Sequence, residues 1–470
     1  MIKERDNGKI IATYTLGCKV NQFETQAMEQ LFAQRGYRIG RFEEFADIYI
    51  VNTCTVTAMS DKKSRQMIRR AKKINPLSSL VVVGCYSQKA PEEVLAIEGV
   101  DLVMGTSNRD KIVDEVERLL HSSDEDFSRI RVEDIMKKRS FEPLEISDMR
   151  GKTRAFLKIQ EGCDRFCSYC IIPFTRGPVR SRQLDQIVSQ VEKLAENGFS
   201  EVVLTGIHVA SYGKDLDRQS LEMGALAGQG LIGEEGEAED FAGKGRGEVR
   251  LADVIEAAAK VEGIRRVRTS SVEPLIITEE FLSKVREAPE FCPHFHLSLQ
   301  SGCDSVLRRM NRRYDTAQYR EAVRRIRSVY PEAAITTDII VGFPGETEEE
   351  FDQTYAFLQE MNLYEMHIFK YSEREGTAAA RMKDRTSPEQ KNKRSEILLA
   401  LAQRNRRAFE ERFLGTTAEV LFETKTDHGW EGHTKNYLKV FANSEEDLEG
   451  CCRNVRLIAR REEGILGELL

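Results

Sequence analysis

The chain has 470 residues, which is enough for two to four domains that each bury a hydrophobic core. Apolar residues make up 40% and charged residues 31% of it, a composition typical of a globular protein in water. The charged N-terminal stretch and the lack of an apolar run near the roughly 20 residues that cross a bilayer argue against a secretory signal or a membrane span, so we expect a cytoplasmic protein without a membrane partner.

The net charge and the cysteine content limit the possible classes of function further. The net charge of −7 argues mildly against a nucleic-acid partner, although such a partner needs only a local basic surface. The chain has ten cysteines. Because structural disulfides are rare in a reducing cytosol, metal binding or catalysis is the leading interpretation of these thiols.

Three cysteines in the first hundred residues each follow a short apolar run. The runs and their cysteines are 10–15 with Cys18, 47–51 with Cys54, and 80–83 with Cys85. Helical patterns follow, for example at 21–35 and 60–73. This alternation predicts a parallel sheet whose strand ends bring the three thiols together at the carboxyl edge, where ligands bind. Inert buried cysteines are the common alternative, but three at equivalent strand ends favour a metal site.

Two stretches of the sequence are rich in basic residues. From Lys62 to Lys73 there are seven basic residues and no acidic one, and from Arg381 to Arg412 there are ten basic and five acidic residues. A solvated helix face and an RNA-binding surface explain such runs equally well, so charge leaves the question of a nucleic-acid partner open.

Cys163, Cys167 and Cys170 form a C-x-x-x-C-x-x-C motif. Three thiolates can bind three irons of a cubane cluster and leave the fourth iron open, whereas zinc normally needs a fourth Cys or His, and none lies near in the sequence. The motif resembles that of the radical S-adenosylmethionine (SAM) superfamily. The resemblance implies that these three residues bind a catalytic 4Fe–4S cluster, whose open iron chelates SAM and whose electron splits it to a deoxyadenosyl radical.

A predicted strand at 155–159 leads into this motif, and five more apolar strands follow it. They are predicted at 201–206, 266–271, 295–300, 335–343 and 366–371. Helical periodicities lie between them, for example at 251–261, 316–330 and 347–361. Alternating strands and helices predict parallel βα units, and six units predict a partial (βα)6 barrel with its active site at the carboxyl strand ends.

Position and resemblance together nominate the SAM contacts. They are Ser271, Glu273, Gln300, Gly342 and Gly345. The two glycines lie in a Gly-Phe-Pro-Gly loop after the fifth barrel strand, where a missing side chain lets backbone approach a ligand. Thr347 and Glu350 predict a capping box at the start of the next helix. Cys292, Cys303, Cys451 and Cys452 are interpreted as core or incidental thiols, and His294, His296 and His367 as packing or substrate-contact residues.

The segment 214–250 interrupts the barrel pattern. It contains eight glycines and nine acidic residues against five basic ones. Such a composition predicts a flexible surface insertion.

After a basic helix at 388–412, the pattern changes to short strands at 417–422, 430–434, 437–440 and 452–457. They predict a small antiparallel β-barrel that resembles the TRAM domain of RNA-modifying enzymes. Exposed aromatic and basic side chains on such a barrel would stack on bases and follow phosphates. A plain capping domain is the alternative, and the acidic residues between 445 and 449 favour it.

The chain as a whole resembles the methylthiotransferases. The resemblance rests on Thr15-Leu-Gly-Cys18-Lys-Val-Asn21-Gln-Phe-Glu24, Asn52-Thr-Cys54, Val83-Gly-Cys85, and the stretch from Cys170 to Gly177, and it continues through Arg180-Ser-Arg182, Leu299-Gln300-Ser-Gly302 and the Gly-Phe-Pro-Gly-Glu loop. It implies an auxiliary 4Fe–4S cluster at Cys18, Cys54 and Cys85. One SAM would methylate sulfur held there, and a second would be cleaved to the radical that abstracts hydrogen from the substrate carbon.

The opening motif Leu-Gly-Cys-Lys-Val-Asn-Gln-Phe-Glu is most similar to the subgroup that acts on threonylcarbamoyladenosine in tRNA. We therefore expect methylthiolation of that nucleoside, with the tRNA anticodon loop and a low-potential electron donor of the flavodoxin or ferredoxin type as partners. Another tRNA adenosine or an aspartate of a ribosomal protein is the alternative substrate. An RNA-binding iron–sulfur module without catalysis is the alternative from another class.

The predicted fold class is α/β, with a Rossmann-like parallel sheet, a partial (βα)6 radical SAM barrel and a small antiparallel barrel. The predicted segments are an N-terminal domain at 1–125, a linker at 126–150, the radical SAM domain at 151–385 with the insertion at 214–250, a helical linker at 386–405, and a TRAM-like domain at 406–470.

Overall fold

The computed structural model describes residues 8–121, 128–216 and 249–470. It divides into two compact units. Unit 1 comprises Met1–Arg150, Phe156–Arg182 and Ser372–Ala380, and unit 2 comprises Gly151–Ala155, Gln183–Tyr371 and Arg381–Leu470. Within the described ranges, no helix combines the length and the apolar character that crossing a membrane requires.

Unit 1 contains a six-stranded parallel sheet in the order β2-β1-β3-β4-β5-β6. Its strands are β1 (Ile10–Thr15), β2 (Arg38–Gly40), β3 (Ile48–Thr53), β4 (Ser79–Gly84), β5 (Leu102–Met104) and β6 (Ile130–Arg131). Its helices are α1 (Lys19–Gln34), α2 (Ala58–Ile74), α3 (Cys85–Lys89), α4 (Pro91–Leu95) and α5 (Ile112–His121).

Both faces of this sheet are buried, which is why its central strands read as continuous apolar runs. Alternate residues of one strand belong to two separate hydrophobic clusters. Tyr49 and Val51 pack on one face, and Ile48 and Ile50 pack on the other. The sheet therefore has helices on both sides, as in a doubly wound domain.

Three further elements of unit 1 surround the C-x-x-x-C-x-x-C motif. They are β7 (Arg154–Glu161), which begins in unit 2, α6 (Ile172–Arg176) and β8 (Arg180–Ser181). Strands β7 and β8 pair antiparallel.

Unit 2 carries the other βα elements. Its strands are β9 (Glu201–Gly206), β10 (Arg266–Thr269), β11 (His294–His296), β12 (Ala334–Val341) and β13 (Glu365–Lys370). Its helices are α7 (Leu184–Glu196), α8 (Leu251–Ala259), α9 (Glu279–Arg286), α10 (Asp304–Arg309), α11 (Thr316–Val329), α12 (Glu348–Met361) and α13 (Pro388–Glu411). Strands β9 and β10 pair in parallel, and so do β11, β12 and β13. The predicted capping box is present at the start of α12, where Thr347 and Glu350 bond reciprocally.

The C-terminal part of unit 2 is a closed barrel in the order β14-β15-β16-β18-β17. Its strands are β14 (Thr417–Thr426), β15 (Gly429–Thr434), β16 (Lys439–Ala442), β17 (Cys452–Arg461) and β18 (Gly464–Leu469). Strands β16 and β18 pair in parallel, and the other neighbours pair antiparallel. The sequence pattern did not predict β18, because its glycines hide the strand signal. Gly467 is needed there, since a Cβ would lie 2.2 Å from Val455 Cγ1.

The aromatic side chains of this small barrel are packed inside unit 2, which corrects the expectation that they are exposed. Trp430 and Phe441 are buried. The ring of Tyr437 stacks on His294 at 4.3 Å and on His433 at 4.7 Å between centroids. These aromatic rings therefore serve packing.

A group of buried charges lies beside Tyr437 in unit 2. This unit 2 ion cluster consists of Arg154, Glu201, Arg266, Arg268 and Glu423. Glu201 accepts from Arg268 Nε at 3.0 Å, and Glu423 pairs with Arg154 at 2.7 Å. The guanidinium groups of Arg154 and Arg268 lie over the Tyr437 ring at 5.6 and 4.9 Å.

The predicted α/β fold class is confirmed: a parallel sheet, parallel βα units and a small closed barrel are all present. Most of the predicted insertion, residues 217–248, lies outside the described residues. The two sides of this segment meet, since a Cβ on Gly213 would lie 2.0 Å from the carbonyl oxygen of Val249.

Candidate functional site

Cys18, Cys54 and Cys85 lie at the carboxyl ends of three adjacent strands of unit 1. Cys18 directly precedes α1, Cys54 directly follows β3, and Cys85 is the first residue of α3. Strands β1, β3 and β4 are neighbours in the sheet. The three thiols are thus at one edge although 31 to 36 residues separate them along the chain.

Two glycines shape the backbone around these thiols. Gly17 has φ 105°, and a Cβ there would lie 3.1 Å from the sulfur of Cys54. Gly84 has φ 100°, and a Cβ there would lie 2.5 Å from Asn52 Oδ1. Only glycine adopts such a positive φ without strain and leaves the space that a Cβ would occupy. Each turn into a cysteine therefore depends on a residue without a side chain.

The C-x-x-x-C-x-x-C motif forms a compact loop after β7. The amide of Cys163 donates to the carbonyl of Gly177 at 3.0 Å and closes the loop, and the amide of Cys170 donates to the carbonyl of Cys167 at 2.9 Å. Cys167 is buried, while Cys163 and Cys170 are half-buried. All six predicted cluster cysteines therefore belong to unit 1.

Arg176, the last residue of α6, links this loop to the strand-end cysteines. Its Nε lies 3.2 Å from the sulfur of Cys85, and its Nη2 donates to Asn21 Oδ1 at 2.6 Å. Asn21 in turn donates to the carbonyls of Leu16 and Thr53. One buried guanidinium thus connects a strand-end thiol, the first turn of α1 and the end of the loop.

Arg176 belongs to a second group of buried charges, the unit 1 ion cluster. Its members are three carboxylates and three cations: Glu24, Arg109, Glu142, Lys158, Glu161 and Arg176. Arg176 Nη1 lies 2.6 Å from Glu24 and 3.0 Å from Glu161, and Lys158 lies 2.8 Å from Glu161. Because opposite charges alternate, each buried carboxylate contacts at least two cations.

The pKa values within this cluster follow from its packing. Burial alone would raise the pKa of Glu161, but the charges of Lys158, Arg176 and Arg109 hold it well below its usual value. Burial alone would lower the pKa of Arg176, but the charges of Cys85, Glu24 and Glu161 hold it above its usual value. Glu161 and Arg176 are therefore both charged at neutral pH, and Arg176 offers a cationic donor to Cys85.

Burial, followed by the neighbouring charge of Cys85, raises the pKa of Cys54 to about 11. A thiol with that pKa is protonated at neutral pH, so a metal that binds it must release the proton. The donor set fits an iron–sulfur cluster, since cysteine thiolates bind the irons of such a cluster and their sulfurs accept hydrogen bonds from nearby donors. The N–H of Arg176 is such a donor.

The residues predicted to contact SAM lie in unit 2 at the ends of neighbouring strands. Val272 pairs with Leu297, which brings the segment of Ser271 and Glu273 beside the end of β11. Gln300 pairs with Ile339 of β12. Ser271 is exposed, and Glu273 is buried against His208 Nε2 at 3.2 Å.

Gln300 has a φ of 75°, a conformation that a residue with a side chain rarely adopts. Its amide donates to the Asp338 carbonyl at 2.9 Å, and its carbonyl accepts from Ile340 at 2.9 Å. Two backbone hydrogen bonds from β12 therefore hold the unusual conformation, which is typical of a functional position.

The two glycines after β12 have different surroundings. The amide of Gly342 donates to the carboxylate of Glu346 at 2.6 Å, and a Cβ there would lie 2.4 Å from Lys391 Cγ. At Gly345 the nearest atom to such a Cβ would be 3.9 Å away. Of the two, Gly345 is the position with room for a ligand.

Sequence patterns nominated the cysteines but gave no role to Asn21, Glu24 or Arg176. All three stand in the motifs that carry the resemblance. Asn21 and Glu24 follow Cys18 by three and six residues, which places them on one face of α1, and Arg176 follows Cys170 by six. The short spacing of these three polar residues from cysteines is the sequence signal that could have identified their role.

Comparison with known proteins tests the resemblance over the chain. Residues 157–358 match the radical SAM superfamily, and residues 10–105 match an uncharacterized protein family, UPF0004. The chain is 39% identical to the threonylcarbamoyladenosine tRNA methylthiotransferase MtaB of Bacillus subtilis (strain 168), over 95% of this chain and 93% of that protein. This chain belongs to the radical SAM methylthiotransferase family.

Other members of the family are similarly close. The MtaB protein of Aquifex aeolicus is 37% identical over 87% of this chain and 92% of its own length. A tRNA-2-methylthio-N(6)-dimethylallyladenosine synthase of Methylacidiphilum infernorum is 33% identical over 92% and 88%. As a radical SAM methylthiotransferase, the chain is an enzyme whose cofactors are two 4Fe–4S clusters and SAM.

Among solved structures, the fold is similar to that of the radical SAM methyltransferase TsrM from Kitasatospora setae, solved with cobalamin and a [4Fe-4S] cluster bound. The TM-score is 0.51 at 14% identity, over 79% of this chain and 77% of that one. At this identity the match concerns the fold alone.

Proposed function

We propose that this methylthiotransferase acts on threonylcarbamoyladenosine beside the anticodon of tRNA and forms its 2-methylthio derivative. The observation that carries the proposal is the identity of 37 to 39% to two proteins named for that activity. A protein named for dimethylallyladenosine is 33% identical, so similarity favours the first nucleoside by a small margin. The Leu-Gly-Cys-Lys-Val-Asn motif supports the same choice.

Cys163, Cys167 and Cys170 would hold the radical cluster, and Cys18, Cys54 and Cys85 the auxiliary cluster. The positions of the two triads in unit 1 support this assignment. One triad lies at the ends of adjacent strands, and the other lies in a single hydrogen-bonded loop. When bound, the clusters and SAM supply the carbon-centred radical and the methylated sulfur from which the new C–S bond forms. Flavodoxin or ferredoxin would supply the electron.

The protein's own residues orient and tune these groups. Arg176 would donate a charge-assisted hydrogen bond to the sulfur of Cys85 and so orient it. Gly17 and Gly84 leave space where the cysteines approach one another. In unit 2, Gln300 and Gly345 would line the SAM site, and Glu273 would present a carboxylate held by His208.

The RNA-binding surface that the structure supports best is helix α2 of unit 1. Five of its basic side chains are exposed: Lys62, Lys63, Arg69, Arg70 and Lys73. By contrast, Arg394 and Arg406 of the second basic stretch, on α13, form ion pairs with carboxylates. The exposed rings of Phe166, in the cysteine loop, and Phe174, on α6, lie 5.7 Å apart between centroids and would stack on an unpaired base.

Nucleoside analysis of tRNA tests the substrate. A strain that lacks this gene should lose 2-methylthio-threonylcarbamoyladenosine, and the wild-type gene should restore it. Cys163→Ser should fail to restore it, whereas the matched control Cys452→Ser, in the small barrel, should succeed. Unchanged tRNA in the deletion strain would refute the proposal. Loss of a different methylthio nucleoside would assign the alternative adenosine, and loss from a ribosomal protein would assign the aspartate.

Two measurements on purified protein test the alternative of a non-catalytic iron–sulfur module and the proposed RNA surface. Anaerobically reconstituted enzyme should form deoxyadenosine from SAM, which a non-catalytic iron–sulfur module would not. Reversal of charge at Lys62 and Lys63 should weaken tRNA binding and lower the slope of log affinity against log salt by about 1–2. The same reversal at Arg404 and Arg407 of α13 is the matched control.

A further inference from the structure

Three polar side chains converge on one face of the β11-β12-β13 sheet in unit 2, where the sequence suggested only packing or substrate contact for the histidines. They are His296 of β11, Asp338 of β12 and His367 of β13. One nitrogen of each histidine and one carboxylate oxygen lie within 4.8 Å of one another.

The sheet register explains this convergence. His296 pairs with Thr336, and His367 pairs with Asp338. Thr336 and Asp338 are two residues apart on β12, so their side chains leave the sheet on the same face. Three neighbouring strands therefore each present one donor to the same point, and their backbones are fixed by the parallel ladder.

The orientation of His296 is that of a metal ligand. Its Nδ1 lies 2.9 Å from the hydroxyl oxygen of Thr336, and its Nε2 lies 3.2 Å from Asp338 Oδ2. Metal-binding histidines usually have one ring nitrogen held in this way by a neighbour, which points the other nitrogen at the ion. The Thr336 hydroxyl also contacts His294 Nε2 at 3.2 Å, so its own position is restrained.

The third donor is close and accessible. The rings of His296 and His367 are 5.7 Å apart with an interplanar angle of 24°. His367 is exposed, and the side chain of Asp338 is 29% exposed. An ion can therefore enter, and water or a substrate oxygen can complete its coordination.

We propose that His296, Asp338 and His367 bind a divalent first-row transition ion such as Mn²⁺, Fe²⁺ or Zn²⁺. Two imidazoles and one carboxylate are the donors that such ions prefer over the oxygen-only sets of Ca²⁺ and Mg²⁺. Three protein ligands leave coordination positions open. The site consists of residues other than the six cluster cysteines, and its existence does not depend on the identity of the nucleoside.

Titration of the cluster-loaded enzyme with Mn²⁺ tests the proposal. Oxidised 4Fe–4S clusters are diamagnetic, so the EPR signal of free Mn²⁺ measures binding directly. Mn²⁺ also prefers oxygen and nitrogen donors to thiolates, so free cysteines do not compete. Wild-type enzyme should bind one ion per chain, and Zn²⁺ should displace it, as expected from the usual order of affinities.

Variants distinguish this site from unspecific binding. Asp338→Asn and His367→Gln should each weaken Mn²⁺ binding at least tenfold, and Thr336→Val should weaken it about 10–100-fold by releasing His296. His428→Gln, at an exposed histidine of the small barrel, is the matched control and should bind as wild type does. A cooperative urea transition of the buried Trp430 verifies that unit 2 of each variant is folded, and unchanged iron content verifies that unit 1 keeps its clusters.

Two results would overturn the proposal. One is the absence of Mn²⁺ binding by folded, cluster-loaded wild type at millimolar concentration. The other is wild-type affinity in both Asp338→Asn and His367→Gln. Because no tRNA is present in the titration, neither result bears on the proposed methylthiolation.

Discussion

In unit 1, the guanidinium of Arg176 binds two carboxylates and an amide oxygen, and its remaining Nε–H points at the sulfur of Cys85. In unit 2, Arg266 and Arg268 bind the carboxylate of Glu201 and then backbone carbonyls of the small barrel. Arg266 contacts His433 O at 2.8 Å, and Arg268 contacts Lys435 O at 3.1 Å.

Both ion clusters are buried, and both keep opposite charges alternating. They differ in the atom that accepts the arginine N–H left over from the ion pairs: the sulfur of Cys85 in the unit 1 ion cluster, and backbone carbonyl oxygens in the unit 2 ion cluster. Hydrogen bonds to a thiol sulfur change how it binds a metal, whereas a buried backbone carbonyl needs only to be hydrogen-bonded. The unit 1 ion cluster is therefore expected to affect cofactor binding, and the unit 2 ion cluster to affect stability.

The largest expected effect is that of Arg176→Ala. Loss of the donor to Cys85, together with the loss of one cation from each of the buried carboxylates Glu24 and Glu161, should remove the auxiliary cluster, so that iron per chain falls to about half and methylthiolation falls by about 100-fold or more. Iron and sulfide analysis with Mössbauer spectroscopy measures this. Arg268→Lys, in the unit 2 ion cluster, is the control with full iron. Full iron and activity in Arg176→Ala would contradict the functional role.

The next effect is that of Glu201→Gln on stability. The carboxylate of Glu201 compensates two buried arginines, so its neutralisation should cost about 3–5 kcal/mol in the free energy of unfolding. The single tryptophan of the chain, Trp430, is buried in the small barrel, and its fluorescence reports urea unfolding of that region. Iron content should stay unchanged. A loss of iron without a loss of stability would reverse the roles assigned to the two clusters.

The pH dependence of stability should also reveal the contribution of Glu201. Burial raises the pKa of Glu201, but Arg268, Arg154 and Arg266 lower it to about 2. A carboxylate with a depressed folded pKa contributes stability above its unfolded pKa of about 4.3 and loses it as pH falls towards 2, by about 3 kcal/mol in total. The Trp430 urea midpoint should therefore fall between pH 5 and pH 3 in wild type. The fall should be shallower in Glu201→Gln, and equal slopes would refute the assignment.

The smallest effect is expected for Arg320→Ala. Arg320 of α11 and Glu360 of α12 form a two-point ion pair at 2.6 and 2.9 Å, but both side chains are about half exposed. Water replaces the lost contacts, so the cost should stay below about 1 kcal/mol in the same fluorescence assay. A cost as large as that of Glu201→Gln would mean that burial does not distinguish these pairs.

Local patterns sufficed for much of the fold, and they nominated the cysteines. Apolar runs predicted β3 and β4 because both faces of a parallel sheet are buried, and the spacing of Cys163, Cys167 and Cys170 marked a cluster loop without any tertiary information. Thr347 and Glu350 predicted a helix start because a capping box is completed within four residues. Periodicity missed β18, whose glycines serve contacts with β17.

Contacts between distant residues needed the tertiary structure. Arg176 and Cys85 are 91 residues apart, and no local pattern pairs them. His296 and His367 meet only because β11, β12 and β13 are adjacent and in a particular register. Aromatic side chains of the small barrel were expected to be exposed, and the structure instead places the ring of Tyr437 against His294 and Arg268.

The sequence by itself determined the elements, the cofactor motifs and the family, because helix periodicity, strand burial and ligand spacing are all written within a few residues. The tertiary structure alone decided which charges compensate one another and which donors converge. Those relations depend on strand order and register, and a shift of one residue in register would turn each side chain to the opposite face of its sheet.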